Sequence, residues 1–182
     1  MTEPVLGIVR FEPTVPEGTH DACYQKLNAI IDSEANPGNN ILPRVPEMRH
    51  ILNCPEVRGA LISVLGPDYL EHPHRYCHFI PPGRDGQTWH KDDYIYDQNV
   101  RHHRGRWVMA FYYPQAVTAD MGPTSIAPGH QHYDTTAQLE TEESAEMPIT
   151  GPAGTVAIVK IIIFYPQLHP RILGAPHFCG KS

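Results

Sequence analysis

Proline and glycine interrupt this chain so often that most of its regular segments must be short. The 182 residues contain 19 Pro and 14 Gly, and both are spread along the whole length. Proline lacks a backbone N–H and fixes φ, and glycine favours turns, so both mark boundaries between segments. Because the chain is short enough for one core, this pattern predicts a single β-rich domain, residues 1–182, with a few helices.

The predicted helices are confined to residues 1–68. Thr19 or Asp21 is expected to cap a helix that runs to about Ser33. Its apolar residues recur at helical spacing and form one stripe. They are Tyr24, Leu27, Ile30 and Ile31. The other predictions for this lead-in are a short strand at 6–11, a loop at 34–43 and helices at 47–52 and 56–65, with Pro55 in a first turn.

Strands are predicted from residue 69 onwards. Residues 106–113 are almost all apolar or aromatic after Arg106, which predicts a strand buried on both faces. Residues 154–165 predict a second such strand, since only Lys160 interrupts the apolar run from Val156. Further short strands are expected at 69–80 and 121–130, and an exposed helix or loop at 135–147. Helices followed by short strands predict a mainly β, α+β fold with a jelly-roll core and helices packed on it.

Composition and motifs exclude several classes of function. The net charge of −6 gives no electrostatic reason for nucleic acid or an anionic membrane as partner. The 4 Cys form no Cys-x-x-Cys unit, so neither a zinc knuckle nor a disulfide framework is predicted. Phosphate-binding, dinucleotide-binding and nucleophile-elbow motifs are missing from the sequence. No signal peptide is predicted, so we expect an intracellular, cytoplasmic setting.

His90 and Asp92 are the first candidate metal ligands. They lie two residues apart, so on an extended segment they point to the same side while Lys91 points away. Such a pair supplies two ligands of a 2-His-1-carboxylate triad, which binds iron(II) and leaves open coordination positions. Spacing alone does not establish the site, because the chain contains a second His-x-Asp pair at His132 and Asp134.

The sequence resembles the phytanoyl-CoA dioxygenase family of iron(II)/2-oxoglutarate-dependent oxygenases in four segments, which occur in the same order along the chain. The resemblance covers about residues 70–159. The segments are Pro81-Pro82-Gly83, Trp89-His90-Lys91-Asp92, the strand from Arg106 to Pro114, and Gly122-Pro123-Thr124-Ser125-Ile126-Ala127-Pro128-Gly129.

The resemblance implies a double-stranded β-helix, cupin-like core over residues 69–159. It implies iron(II) bound by His90 and Asp92, 2-oxoglutarate as co-substrate and molecular oxygen as oxidant. Thr124 is a candidate for a hydrogen bond to the co-substrate, although it also fits a purely structural place in its strand. The implied reaction is hydroxylation of a small organic substrate coupled to oxidative decarboxylation of 2-oxoglutarate.

The family pattern continues through Gly154–Val159 and then stops. The family's third iron ligand, a histidine, would be expected near residue 165, where this chain has Tyr165. The nearest histidine is His169, the tentative third ligand, and Arg171 is the candidate for binding the co-substrate carboxylate. His177 lies further on, and all three residues also fit a solvated tail without a role.

Two alternatives follow from these departures. The first alternative interprets residues 160–182 as a divergent or truncated end, which would make the chain a catalytically inactive relative that retains the barrel and two metal ligands. A third class is a cupin-like binding module that uses His130, His132 and Asp134, which share a face if their segment is a strand.

Overall fold

A layer of helices lies over one face of an antiparallel sheet. The fold is described from a computed structural model. It describes residues 7–34, 36–73, 75–80, 107–128 and 146–159, and the strand backbone at 172–173 and 178–181.

The first helix, α1 (Thr19–Ser33), follows the first strand, β1 (Ile8–Phe11). Both elements confirm the sequence prediction, but the predicted cap is wrong. Gly18, with φ of +76°, occupies the N-cap position, and no side chain caps the helix. Glycine adopts this left-handed conformation without a Cβ clash, so backbone geometry replaces a side-chain cap. The predicted stripe is buried at Leu27 and Ile30, and Cys23 joins it.

Three further helices complete the layer. They are α2 (Ile41–Arg44), α3 (Met48–Asn53) and α4 (Pro55–Leu65). The predicted loop at 34–43 is wrong in part, because a 3₁₀ turn at Gly38–Asn40 leads directly into α2. At the start of α4 the Cys54 Sγ accepts a hydrogen bond from the Val57 N–H at 3.5 Å, and Pro55 lies in the first turn as predicted. None of the helices among the described residues has the length and apolarity needed to cross a membrane.

The main sheet contains β1 and four further strands. They are β2 (Leu70–Glu71), β4 (Met109–Tyr112), β7 (Val156–Val159) and β9 (Phe178–Lys181). Their order across the sheet is β1-β7-β4-β9-β2. Every neighbouring pair is antiparallel. Because β4 and β7 are central and covered on both faces, all eight of their residues are buried, as their apolar sequences predicted.

Two pairs of short strands lie outside the main sheet. β3 (Phe79–Ile80) pairs with β8 (Ile172–Leu173), and β5 (Ser125–Ile126) pairs with β6 (Met147–Pro148). From β2 onwards the pairs are nested along the chain: β5 with β6, β4 with β7, β3 with β8 and β2 with β9. Segment 160–182, expected to be a divergent tail, therefore supplies strands to two sheets.

The two faces of the main sheet contact different parts of the molecule. Ala110 and Tyr112 of β4 lie in the cluster formed with the helices, where Leu27, Met48 and Val57 are also buried. Met109 and Phe111 point to the opposite face, which we call the inner face. The inner-face cluster contains no helix residue among the described part of the chain. Its members are Ile8, Met109, Phe111, Tyr113, Val117, Ile126, Ile149, Ala157 and Val159.

Candidate active site

Most of the predicted metal and co-substrate residues lie outside the described part of the chain. This applies to His90, Asp92, His169 and Arg171, and also to the alternative set of His130, His132 and Asp134. Thr124 is described. Among the described residues, no group of three or more His, Cys, Asp or Glu side chains could hold a metal ion.

The strands that flank the undescribed ligands are described, and they lie side by side. Ile80, the last residue of β3, is the register partner of Ile172, the first residue of β8. His90 and Asp92 follow β3 in sequence, and His169 and Arg171 precede β8. The chain therefore leaves β3 and enters β8 at the same end of one antiparallel ladder.

Thr124 lies at the start of β5, half-buried. Its carbonyl oxygen accepts a hydrogen bond from the Ile149 N–H at 2.8 Å, which fixes the backbone beside β6. The following residue, Ser125, is 2% exposed. Thr124 directly precedes β5 and Ile149 directly follows β6, so the predicted co-substrate residue lies beside Ile126 and Ile149 of the inner-face cluster.

Tyr113 is a candidate site residue that the sequence prediction placed only in a buried strand. It follows β4, where its N–H donates to the Thr155 carbonyl at 2.9 Å and its own carbonyl accepts from the Gly154 N–H at 2.8 Å. The side chain is 2% exposed and belongs to the inner-face cluster. Its hydroxyl is buried and has no hydrogen-bond partner among the described residues.

Burial raises the pKa of Tyr113, so its hydroxyl is protonated at neutral pH. Thr124 lies beside the hydroxyl and opposes this shift, but the contact does not reach the geometry of a hydrogen bond. A second buried polar atom without a partner in the described part is Nε2 of Gln115, two residues further along the chain. The inner face therefore combines an apolar wall with one phenol that the described residues leave unpaired.

The helix side of the sheet holds a contrasting polar cluster. His20 Nδ1 and the Tyr112 hydroxyl are 2.8 Å apart, and the Cys23 thiol also interacts with that hydroxyl. Burial lowers the pKa of His20, although Asp21 opposes the shift, so the neutral ring is favoured and Nδ1 can accept from Tyr112. Burial raises the pKa of Cys23 to about 11, which keeps this thiol protonated and unreactive.

Cys23 and Tyr112 are packed into the core and His20 is half-buried beside them, so this cluster stabilises the fold. Gly154 closes the cluster, because a Cβ on it would lie 2.5 Å from His20 Nε2. Cys23, Cys54 and Cys77 are all buried.

Comparison with known proteins gives matches at the level of structure only. No family model and no curated protein matches the sequence. EctD from S. alaskensis, solved with 2-oxoglutarate and 5-hydroxyectoine, matches 98% of this chain and 73% of its own with a TM-score of 0.76 at 14% identity. EctD has also been solved with bound Fe. The non-heme monooxygenase ThoJ, in a complex with Ni, matches 97% of this chain and 73% of its own with a TM-score of 0.64 at 17% identity.

A third match differs in length. EvdMO1 matches 97% of this chain with a TM-score of 0.70 at 13% identity, but the chain spans only 47% of EvdMO1. At these identities the likeness establishes the fold. The chain has the fold of these proteins, in agreement with the cupin-like fold that the resemblance stated from the sequence implies.

Proposed function

We propose that this chain is a non-haem iron(II)/2-oxoglutarate-dependent dioxygenase of the phytanoyl-CoA dioxygenase type, which hydroxylates a small organic substrate. The observation that supports the proposal is the β3–β8 register: the connection that contains His90 and Asp92 begins at the end of the ladder where β8, preceded by His169, begins. The fold shared with EctD and ThoJ supports the same class of chemistry.

The nested strand pairing supports a double-stranded β-helix core. A long antiparallel hairpin with its tip between β5 and β6 would pair its strands as observed, from β5 with β6 outwards to β2 with β9. β4 also pairs with β9, although each has its own partner in the hairpin. Such an additional pairing is expected if the hairpin is rolled up. Rolled hairpins of eight strands form jelly rolls, whose interior can hold a ligand.

We assign the metal to His90, Asp92 and His169. The first two follow β3 and the third precedes β8, so all three belong to connections at one end of the ladder that pairs Ile80 with Ile172. Their donor atoms, two imidazole nitrogens and a carboxylate, are those of a facial triad, which suits non-haem iron(II). When bound, this iron supplies the oxidation chemistry at the coordination positions that the triad leaves open.

The same register favours His169 over His177. His177 follows β8 and directly precedes β9, so it belongs to the connection at the other end of the β3–β8 ladder. Arg171 directly precedes β8 and is assigned to a carboxylate of 2-oxoglutarate, which a guanidinium can bind with two parallel hydrogen bonds. Thr124 is assigned to the same co-substrate. The apolar side chains of the inner face would exclude water from the reaction.

The test is an anaerobic titration of the protein with iron(II) and 2-oxoglutarate, followed by the charge-transfer absorption of chelated 2-oxoglutarate. The band is expected in the wild type and should be lost in H90A and H169A. H177A is the matched control for His169, and H50A, on the exposed surface of α3, is the control for general effects of histidine removal. Both controls should retain the band.

Three outcomes would contradict parts of the proposal. Iron binding without a band would favour the inactive relative that lacks a co-substrate site. A band lost in H177A and retained in H169A would reassign the third ligand. If H90A retained the band while a variant at His132 lost it, the cupin-like alternative would replace the assigned triad.

A further inference from the structure

The segment 36–39, between α1 and α2, is hydrogen-bonded to the part of the chain that leads into β3. The side-chain amide of Asn36 pairs with both backbone groups of Cys77: Nδ2 donates to the Cys77 carbonyl, and Oδ1 accepts from the Cys77 N–H at 3.4 Å. Asn39 Oδ1 accepts from the Arg75 N–H at 2.9 Å. Two asparagine side chains therefore supply hydrogen bonds of the kind that a neighbouring strand would give to this backbone.

The contact between Asn36 and Cys77 is held in place from both sides. Asn36 Oδ1 also accepts a hydrogen bond from the Gly38 N–H at 3.0 Å, which closes an Asx turn and orients the amide. Cys77 is fully buried in the cluster on the helix side of the sheet, and Phe79 of β3 packs against the same cluster. Because both partners are held, the contact ties the start of β3 to the helix layer.

The strand attached in this way is one half of a short ladder. In the described part of the chain, β3 and β8 pair over two residues each. Under the proposed function, His90 and Asp92 follow β3, and His169 precedes β8. A metal bound by three side chains requires their donor atoms to reach one point at about 2 Å, so a small shift of β3 against β8 weakens binding. A ladder of this length resists such a shift poorly, so other attachments of β3 contribute to the geometry of the site.

We propose that Asn36 is a positioning residue for the iron site, acting through the backbone of Cys77 and through β3. This inference rests on the proposed function. Asn36 keeps β3 in the arrangement that brings the first two ligands to the third. The apparent affinity for the metal decreases in proportion to the fraction of molecules that lose this arrangement.

Asn28 provides a matched control for Asn36. Both side chains are half-buried and both donate through Nδ2 to a backbone carbonyl, but the acceptor of Asn28 is Tyr24 within α1. N36L and N28L each remove one amide without adding a charge. Only N36L also leaves the backbone N–H and carbonyl of Cys77 without the amide that pairs with them.

The experiment measures two quantities for wild type, N36L and N28L under conditions well below each urea midpoint. The first is the Kd for iron(II), from the charge-transfer absorption at saturating 2-oxoglutarate. The second is the hydrogen-exchange rate of the Cys77 amide in the metal-free protein. N36L is expected to raise the Kd about tenfold and to speed this exchange, and N28L should change neither. A role in global stability alone would lower the urea midpoint without changing the Kd, because nearly all molecules are folded under these conditions.

Several results would overturn the proposal. An unchanged Kd in N36L, with wild type showing the charge-transfer band, refutes the role of Asn36 and leaves the proposed function intact. An equal rise in Kd for N28L would assign the effect to a general loosening of the helix layer. If wild type shows no band, the proposed function itself fails. Should N36L not fold, N36D removes the donor to the Cys77 carbonyl and keeps the acceptor oxygen, and a Kd equal to that of wild type would then refute the proposal.

Discussion

Tyr112 and Tyr113 are adjacent in the chain, equally buried, and opposite in their surroundings. The Tyr112 hydroxyl lies on the helix side of the main sheet, 2.8 Å from His20 Nδ1 and in contact with the Cys23 thiol. The Tyr113 hydroxyl lies on the inner face and has no partner among the described residues. The two tyrosines therefore differ in one respect: the phenol on the helix side is paired, and the phenol on the inner face is not, among the described residues.

This difference has a physical meaning for stability and binding. Polar groups paired within a core stabilise the fold, whereas an unpaired buried donor costs stability until a ligand satisfies it. Under the proposed function, the helix side of the sheet holds the fold together and the inner face binds the ligand.

The largest effects are expected from truncating one large side chain on each side. Leu27→Ala on the helix side should lower the free energy of unfolding by about 2–5 kcal/mol, and Phe111→Ala on the inner face by about 3–5 kcal/mol, because both side chains are almost fully buried. Urea denaturation measures the loss. Only Phe111→Ala should also weaken binding of 2-oxoglutarate, and equal weakening by Leu27→Ala would remove the functional distinction between the two sides.

The next largest effect is expected from a substitution that tests how tightly His20 packs against Gly154 on the helix side. Gly154→Ala should destabilise the protein by about 3 kcal/mol, since it adds an overlap with the His20 ring to the strain of φ at +96°. Gly18→Ala is the matched control, because its φ is +76° but nothing lies within 4 Å of the added Cβ. It should cost about 1 kcal/mol. Similar losses in the free energy of unfolding for both variants would show that the His20 side chain can move away from the added Cβ and that the cluster is not tightly packed.

Removal of single hydroxyl groups should give smaller and opposite results. Tyr112→Phe should lower the free energy of unfolding by about 1–2 kcal/mol, because it leaves His20 Nδ1 without its partner. Tyr113→Phe should cause no loss in the ligand-free protein. Chemical denaturation of the two variants side by side checks the comparison, and an equal loss in both would contradict the assignment of different roles.

The smallest effect concerns pH. The pKa of His20 in the folded protein is lowered by burial, with Asp21 opposing, so the unfolded chain binds a proton more readily. The contribution of His20 to stability is therefore complete above the unfolded pKa of about 6.5 and decreases as pH falls below it. Urea midpoints between pH 8 and pH 5 measure this slope, and His20→Gln should flatten it. An unchanged slope in that variant would assign the pH dependence to other groups.

The helices and central strands could be predicted because local sequence specifies them. The spacing of Leu27 and Ile30 marks α1, and the unbroken apolar run around Phe111 marks a strand buried on both faces. The cap of α1 was predicted wrongly because side-chain propensity pointed to Thr19 or Asp21. The backbone instead turns at Gly18, whose left-handed conformation starts the helix without a side-chain cap.

The candidate site was predictable only in part. The resemblance pointed to His90, Asp92, Thr124, His169 and Arg171, and the sequence preferred His169 over His177 only because His169 lies nearer the expected position. The pairing of Ile80 with Ile172, two residues far apart in the chain, adds a topological reason for that preference. The sequence also placed Tyr112 and Tyr113 in one buried strand without distinguishing their roles.

The sequence by itself determined where segments begin and end and which of them are buried, because proline, glycine and apolar periodicity act on neighbouring residues. The tertiary structure decided which strands pair, including β8 and β9 within segment 160–182, because such pairing joins residues that are distant in sequence. It also decided that the Tyr112 hydroxyl has a partner and the Tyr113 hydroxyl has none among the described residues. Whether a buried hydroxyl is hydrogen-bonded depends on groups from other helices and strands, and the local sequence does not predict which groups these are.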